Sequence, residues 1–425
     1  MSGKRRPREP LSRETLLVRG AGALVIALPA VVTRLGGLHP PPLSALLVFG
    51  AGVLSAAILL MWAAETARAD VPAALATALV ALVAVLPLYA VDLNYAFEAG
   101  TRPEYATYAA AAMTGANRLL IGVGWVLVAV AFALGVRRLA GRAGGSGRHA
   151  ARGTGRRTVR AAPRHRVELG FLALASVLGF IPALTGEIGW YMAIVLVAVY
   201  VLYLARLARG GAPEDVPPEP GEVEGVPAVL ARLPRRERRI AAGTGFALGA
   251  ILMFVSAGAF AGALVDAGAE TGIGEFPSAQ WLAPAVAEAP LLLAAAMSAW
   301  RLRDADAIGM LLSAKVNQWT LLVGLLPVAH LAGGGSWSLP LDSRQIEEVL
   351  LTVALTVLGL ALLIDLTLRR WEAAVLFALF AVRFFLPGGD AALVLSGLCL
   401  AIGFSVLIAR YRELGQAMET VVRPR

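Results

Sequence analysis

The sequence predicts an all-α, polytopic membrane protein of about twelve transmembrane helices. Three observations carry this. Apolar runs near 20 residues recur along the 425-residue chain, the length that crosses the hydrocarbon core of a bilayer. The chain is 58% hydrophobic and 16% charged, with a mean hydropathy of +0.71, whereas a soluble domain carries about 25% charged residues. The basic residues fall between the apolar runs and favour alternate connections. Lipid offers no partners to open backbone, so the spanning elements are expected to be helices.

In chain order the runs cover 15–35, 43–64, 71–96, 107–136, 168–184, 188–205, 240–264, 278–300, 306–330, 347–368, 371–387 and 391–408. The first follows KRRPREPLSR without a clear small-residue cleavage site, so it reads as a retained helix. With the N-terminus inside, the inner connections hold 31 of the 38 Lys and Arg residues. The outer connections hold Arg102 and Arg344, with Arg34 at an outer span end. This asymmetry predicts a multi-pass protein of the cell membrane with both termini cytoplasmic. It also accounts for the net charge of +9 with membrane lipid as partner and without nucleic acid. Trp190, Tyr191, Trp281, Trp300, Trp337 and Trp371 near span ends fit an interfacial aromatic belt. Cys399, the single cysteine, excludes an intrachain disulfide and a cysteine zinc cluster.

Two inner connections are long. Residues 137–166 are rich in Arg, Gly and Ala and are expected to lie on anionic lipid. Residues 206–239 contain GAPEDVPPEPGEVEGVP and then LPRRERR, an acidic, Pro-rich linker with a basic stop. The linker divides the chain into 1–42, a first five-helix repeat at 43–205, the linker at 206–239, a second five-helix repeat at 240–387, and a last helix and tail at 388–425. Neither connection has room for a soluble catalytic domain.

The two halves share a pattern. MTGANRLLIGVGW places Asn117 seven residues before Gly124, and AKVNQWTLLVGLL places Asn317 seven before Gly324. Each preceding run carries a mid-span proline, Pro87 or Pro290. The 71–136 pair joins outside and the 278–330 pair joins inside, so the similar pairs cross in opposite senses. Inverted repeats of this kind place a transport site near the bilayer midplane. The 288–327 stretch adds Glu288, Lys315, Asn317 and Gln318 inside apolar sequence. A charge at the bilayer centre costs roughly 3 kcal/mol on insertion scales, so these groups are expected to face a protein interior or an ion path.

These hairpins resemble the alpha repeats of the sodium/calcium exchanger superfamily, the calcium:cation antiporters. The resemblance rests on LPLYAVDL at 86–93, TGANRLLIGVGW at 114–125, EAP at 288–290, SAKVNQWTLLVG at 313–324 and PLDSRQIEE at 340–348. It implies two five-helix repeats of opposed topology, one extra helix at each end, and gradient-driven exchange by alternating access. The family places a cation-coordinating Glu directly after each proline, and this chain has Leu88 and Leu291 there. Asp92 lies one turn beyond Leu88, and Glu288 one turn before Leu291.

The expected cation ligands are Glu288, Asn317, Asn117 and Asp92, with Lys315, Gln318, Arg118, Pro87, Pro290 and Ser313 along the path. Lys315 is expected to tether Glu288 or to act as a proton-linked group, Arg118 to pair with Asp92 or Glu288, and Glu288 to lie within about 5 Å of Lys315 or Arg118 in at least one state, because an unpaired central charge is costly. Calcium favours six to eight oxygen ligands, and Lys315 opposes a divalent ion. The expected cargo is therefore a cation, Na+, H+ or Ca2+, with no cofactor and no enzymatic activity. The glycine-rich AGGGS at 332–336 follows no strand and does not read as a phosphate loop. Loss of both family glutamates favours one alternative, an exchanger-fold scaffold or partner subunit without transport. A membrane-embedded enzyme lacks the loop cluster of acids or histidines that a metal would need.

Overall fold

The computed structural model describes residues 13–67, 70, 73–142, 158–209, 226–272, 274–386 and 389–422. Of the 137–166 loop and the 206–239 linker, residues 143–157 and 210–225 lie outside them, and the expectations for those residues with them.

Helices α1 (Arg13–Leu35) and α2 (Pro42–Ala67) lead into α3 (Ala73–Ala84) and α4 (Leu86–Glu98). The last two are one broken span, bent by 54°. Pro87 in the first turn of α4 is the cause, since it lacks an amide to donate and its ring excludes the carbonyl of the preceding turn. Helix α5 (Glu104–Leu119) runs through a π-helical turn, Leu120–Gly124, into α6 (Trp125–Arg142). Strand β1 (Val159–Arg160), α7 (Arg166–Leu178), α8 (Phe180–Thr185), β2 (Glu187–Gly189) and α9 (Trp190–Arg209) complete the first half. Gly186, at φ +73°, ends α8 in the left-handed conformation that a side chain disfavours.

The second half holds α10 (Arg235–Glu270), a π-helical turn at Ser278–Leu282, α11 (Ala283–Trp300) and α12 (Asp304–Asn317). A further π-helical turn, Gln318–Leu322, joins α12 to α13 (Val323–Ala332). Strand β3 (Ser338–Pro340), α14 (Ser343–Leu363), β4 (Thr367–Leu368), α15 (Arg370–Phe385), α16 (Gly389–Ala409) and α17 (Tyr411–Val422) follow. Asp342 and Gln345 close a capping box that fixes the start of α14, each side chain satisfying an otherwise orphaned amide.

Among the described residues nine helices are long and apolar enough to cross a membrane, or ten with the bent pair. Of the other two expected runs, 15–35 lies in α1, whose apolar piece Gly20–Leu35 is shorter, and 371–385 lies in the 16-residue α15, so twelve spans are not reached on length and apolarity among the described residues. Burial ranks the spans. In Asp304–Ala332 and Ser343–Leu363, 83% of the most apolar window is buried, against 28% in Asp390–Ala409. The polar stretch around Lys315 is therefore central, and α16 is peripheral.

The halves pack reciprocally. Helix α4 packs on α13, and α6 packs on α11. Strand β1, before α7, pairs with β4, after α14, while β2, after α8, pairs with β3, before α14. Exchanging the halves converts each of these pairings into the other. At the arginine-rich end, Asp70 takes two hydrogen bonds from Arg238, at 2.8 and 3.1 Å, with Arg235 and Arg239 beside it. The Arg238 hydrogen bonds hold its carboxyl below the usual carboxylate range.

Candidate functional site

Among the buried carboxylates, Glu288 and Asp92 lie within electrostatic reach of one another. Glu288 of α11 stands two residues before Pro290 and is fully buried. Its Oε1 accepts a hydrogen bond from Gln318 Nε2 at 2.7 Å. Its Oε2 and the Gln318 Oε1 have no hydrogen-bond partner. Asp92 of α4 is also fully buried, and neither of its carboxylate oxygens has a hydrogen-bond partner. It lies within electrostatic reach of Glu288. The broken α3–α4 span and the proline in α11 deliver these two acids, and Gln318 opens the π-helical turn after α12. Such turns widen a helix locally and recur at functional sites. A second π-helical turn, Leu120–Gly124, follows α5 and begins three residues after Asn117 rather than one. Leu88 and Leu291, each at most 1% exposed, fill the positions beside the acids with hydrocarbon.

Lys315 occupies the next turn of α12. Its Nζ donates to the Asn117 backbone oxygen at 2.8 Å and to Asn117 Oδ1 at 2.9 Å, and it sits 5.3 Å from the Trp319 ring centre. Asn117 is itself fixed by Nδ2 donating to the Met113 oxygen at 2.9 Å. The expected Glu288–Lys315 tether is thus replaced. The ammonium is satisfied by amide oxygens, and Glu288 takes its hydrogen bond from a neutral amide. Lys315 remains within electrostatic reach of Glu288 without an ion pair. Asn317 bridges three helices, accepting from the Tyr89 hydroxyl and donating to the Tyr200 hydroxyl at 3.1 Å. Ser313, one turn back, accepts from the Tyr203 hydroxyl at 3.0 Å.

Arg118 belongs elsewhere. Its Nε donates to the Thr114 oxygen at 3.2 Å, its guanidinium lies 4.9 Å from the Trp281 ring centre, and its ion pair is with Glu348 of α14. Glu348 also pairs with Arg383 of α15 at 2.5 Å, and Arg383 Nη1 donates to the Leu386 oxygen at 2.6 Å. The expectation that Asp92 or Glu288 would neutralise Arg118 is corrected by this triad. Trp281 is likewise part of it rather than of the interfacial belt, while Trp190, Trp300, Trp337 and Trp371 are exposed.

The structure brings Glu288, Gln318, Lys315, Asn117 and Asn317 onto α11, α5 and the α12 region, with Asp92 facing them from α4. Pro87 and Pro290 shape the backbone. Sequence reasoning missed Glu348, Arg383 and the hydroxyls of Tyr89, Tyr200 and Tyr203. Glu348 ends the PLDSRQIEE segment and Tyr89 lies within LPLYAVDL, so both segments carried the signal. Among the described residues no cluster of three or more His, Cys, Asp or Glu side chains could hold a metal ion.

Residues 242–386 match the family described as "Sodium/calcium exchanger protein". The solved structure of the H+/Ca2+ exchanger CAX is 36% identical and aligns over 96% of this chain and 98% of its own, with a TM-score of 0.86. Native YfkE is 13% identical, aligned over 89% of this chain and 99% of its own, with a TM-score of 0.54, a likeness of fold. No curated protein sequence matches the chain.

Proposed function

The chain belongs to the sodium/calcium exchanger family, and from that premise we propose that it is a secondary antiporter exchanging protons for a monovalent cation at the Glu288–Asp92 centre. The carrying observation is the pair of fully buried acids whose outward oxygens, Glu288 Oε2 and both Asp92 oxygens, have no hydrogen-bond partner. A buried carboxylate without partners is costly, so each acid needs a proton or a cation in every state of the cycle. That requirement couples release of one ion to capture of the other.

The side chains around the acids favour single charges. Calcium takes six to eight oxygens, several of them carboxylates. Here the positions after the prolines are Leu88 and Leu291, and Lys315, when protonated, opposes a divalent ion within reach of Glu288. Glu288 Oε2, Gln318 Oε1 and Asp92 supply a small oxygen set suited to Na+ or to a proton. Relatedness to the H+/Ca2+ exchanger CAX supports the proton as one partner of the exchange. In this reading the Lys315–Asn117 contact ties α12 to α5, so that these two helices move as a unit during alternating access.

The test is flux in proteoliposomes with an imposed pH gradient, adding Na+, K+ or Ca2+ in turn. Na+ or K+ is expected to dissipate the gradient, and Glu288→Gln to abolish this at matched incorporation, a loss of about 100-fold or more for an essential proton-transfer group. Dissipation by Ca2+ alone would overturn the monovalent cargo. Absence of exchange with any ion would return the scaffold alternative to first place.

A further inference from the structure

A second buried acid–base pair stands at the arginine-rich end, away from the central carboxylates. His165 closes a 3-10 turn, Pro163–His165, and is 3% exposed. Glu168, in the first turn of α7, is 5% exposed and places Oε1 3.6 Å from His165 Nδ1. Both imidazole nitrogens and Glu168 Oε2 lack a hydrogen-bond partner. The imidazole lies against Gly309 of α12, where a Cβ would collide with the ring.

From there, successive turns of one face of α12 carry polar groups inward. Gly309, Ser313 and Asn317 are spaced four residues apart, so they stack over about 12 Å at 1.5 Å per residue. Ser313 meets the hydroxyl of Tyr203, and Asn317 meets that of Tyr200, one turn apart on α9. Glu168 lies within electrostatic reach of Tyr203. Beyond Asn317 stands the Tyr89 hydroxyl, within reach of Asp92. A run of acid, imidazole and hydroxyl groups thus crosses otherwise apolar packing and ends at the transport centre.

We propose that His165 and Glu168 form the proton-entry station on the arginine-rich side, with Tyr203 and Ser313 as the first relay towards Asp92. This rests on the proton-coupled reading above. A proton taken from water forms an N–H or O–H bond at the pair. It leaves as the Tyr203 oxygen gains one proton and gives its own to Ser313, whose oxygen in turn gives its own proton to a water, the carrier this proposal assigns to the remaining step. The Asn317 amide does not conduct protons and holds the Tyr200 and Tyr89 hydroxyls on either side. The water passes one proton to an Asp92 oxygen as it takes one from Ser313, so each oxygen makes one O–H bond as it breaks another.

The charged groups on neighbouring elements are already engaged. On α12, Asp304 accepts from the Arg160 amide at 2.9 Å, and Asp306 pairs with Arg164 at 2.9 Å. Arg166 flanks the pair on its own helix with its Nη1 lacking a hydrogen-bond partner, Arg206 of α9 donates to the Val421 and Val422 oxygens at 2.7 and 2.6 Å, and α17, packed on α7, contributes Glu419, which has its own partner.

The experiment compares the full-length wild type with Glu168→Gln, His165→Gln and Tyr203→Phe in proteoliposomes. Two rates are read at several pH values, the proton-coupled flux and isotopic Na+/Na+ exchange, which moves no net proton. The expected result is a proton-coupled flux reduced about 100-fold and a shifted pH profile in Glu168→Gln, with a smaller loss in Tyr203→Phe. Isotopic exchange is expected to be retained in both. Equal loss of both rates in all three variants assigns the pair a purely structural role and overturns the proposal. So does wild-type proton flux with an unchanged pH profile in Glu168→Gln and Tyr203→Phe. A wild type that exchanges Na+ without moving protons sinks the coupled reading itself, an outcome separate from failure of the entry station alone.

Discussion

Glu348 holds two guanidiniums in the protein interior, and both depend on it. Arg118, Glu348 and Arg383 are 1%, 1% and 6% exposed, so none is hydrated enough to stand alone. Removing one partner of a buried pair costs about 3–5 kcal/mol because the other charge is stranded. Glu348→Gln is therefore expected to lower stability by at least about 3 kcal/mol, read as a depressed melting temperature in detergent. Arg118→Met combined with Glu348→Leu and Arg383→Met removes all three charges together. It is expected to recover most of that loss, since an apolar replacement of a buried ionic group is often neutral or better. A stable Glu348→Gln protein would show that the triad is solvated in a state other than this one. The contrast with Glu288 is informative at the same scale. Glu348 is saturated by two arginines, whereas Glu288 receives one amide hydrogen bond and keeps an oxygen free. Pairing with two arginines accounts for Glu348 as a structural acid, and the proposed transport role of Glu288 rests on its free oxygen.

At the scale of elements, hydropathy and prolines made the helices readable, while side-chain partners stayed hidden. Among the described residues the apolar runs coincide with helices or helix pairs, nine or ten of them long and apolar enough to cross a membrane, because burial in lipid and burial in protein select the same apolar residues. The break at Pro87 was legible because the missing amide is a local property. The Asn117 and Asn317 pattern pointed to two π-helical turns without revealing their form. Arg118 misled because its partner, Glu348, lies far along the chain, and nothing local distinguishes it from nearer acids. Tyr200 and Tyr203 read as ordinary apolar-run residues until α9 was set against α12. Close backbone approaches were equally invisible. Gly115 of α5 faces the Gln280 carbonyl in the π-helical turn before α11, and a Cβ there would overlap backbone that cannot swing aside. Gly262, inside α10, has nothing within 4 Å of an added Cβ. Gly115→Ala is thus expected to cost about 1–3 kcal/mol by overpacking. Gly262→Ala is expected to gain about 0.5–1 kcal/mol from helix propensity. Thermal melts of the two variants side by side check this, and equal melting temperatures would mean that α5 and α11 can move apart without penalty.

At the scale of the whole molecule, the strand pairings argue for opposed halves. Two short sheets, β1–β4 and β2–β3, each join a segment of one half to a segment of the other. If the halves ran in the same sense, β1, before its span, and β4, after the matching span, would lie at opposite ends of the bundle and could not pair. Counting crossings from β1 through α7 and α8 to β2 puts the two sheets at opposite ends of the bundle. The charge census then assigns sides, because the connections next to β1 and β4 carry the arginines and those next to β2 and β3 carry few. Cys399 is fully buried, so it is a poor target for a bulky polar reagent and leaves a low background for introduced thiols. Ser336→Cys, on the exposed segment before β3, and Gln416→Cys, on the exposed face of α17, then report the two ends. A membrane-impermeant maleimide applied to intact cells is expected to label Ser336→Cys and to reach Gln416→Cys only after permeabilisation. The reverse pattern would invert the orientation while keeping the opposed halves. Labelling of both sites from outside would place both ends of the bundle on one side of the membrane, and the opposed-repeat architecture would fail with it.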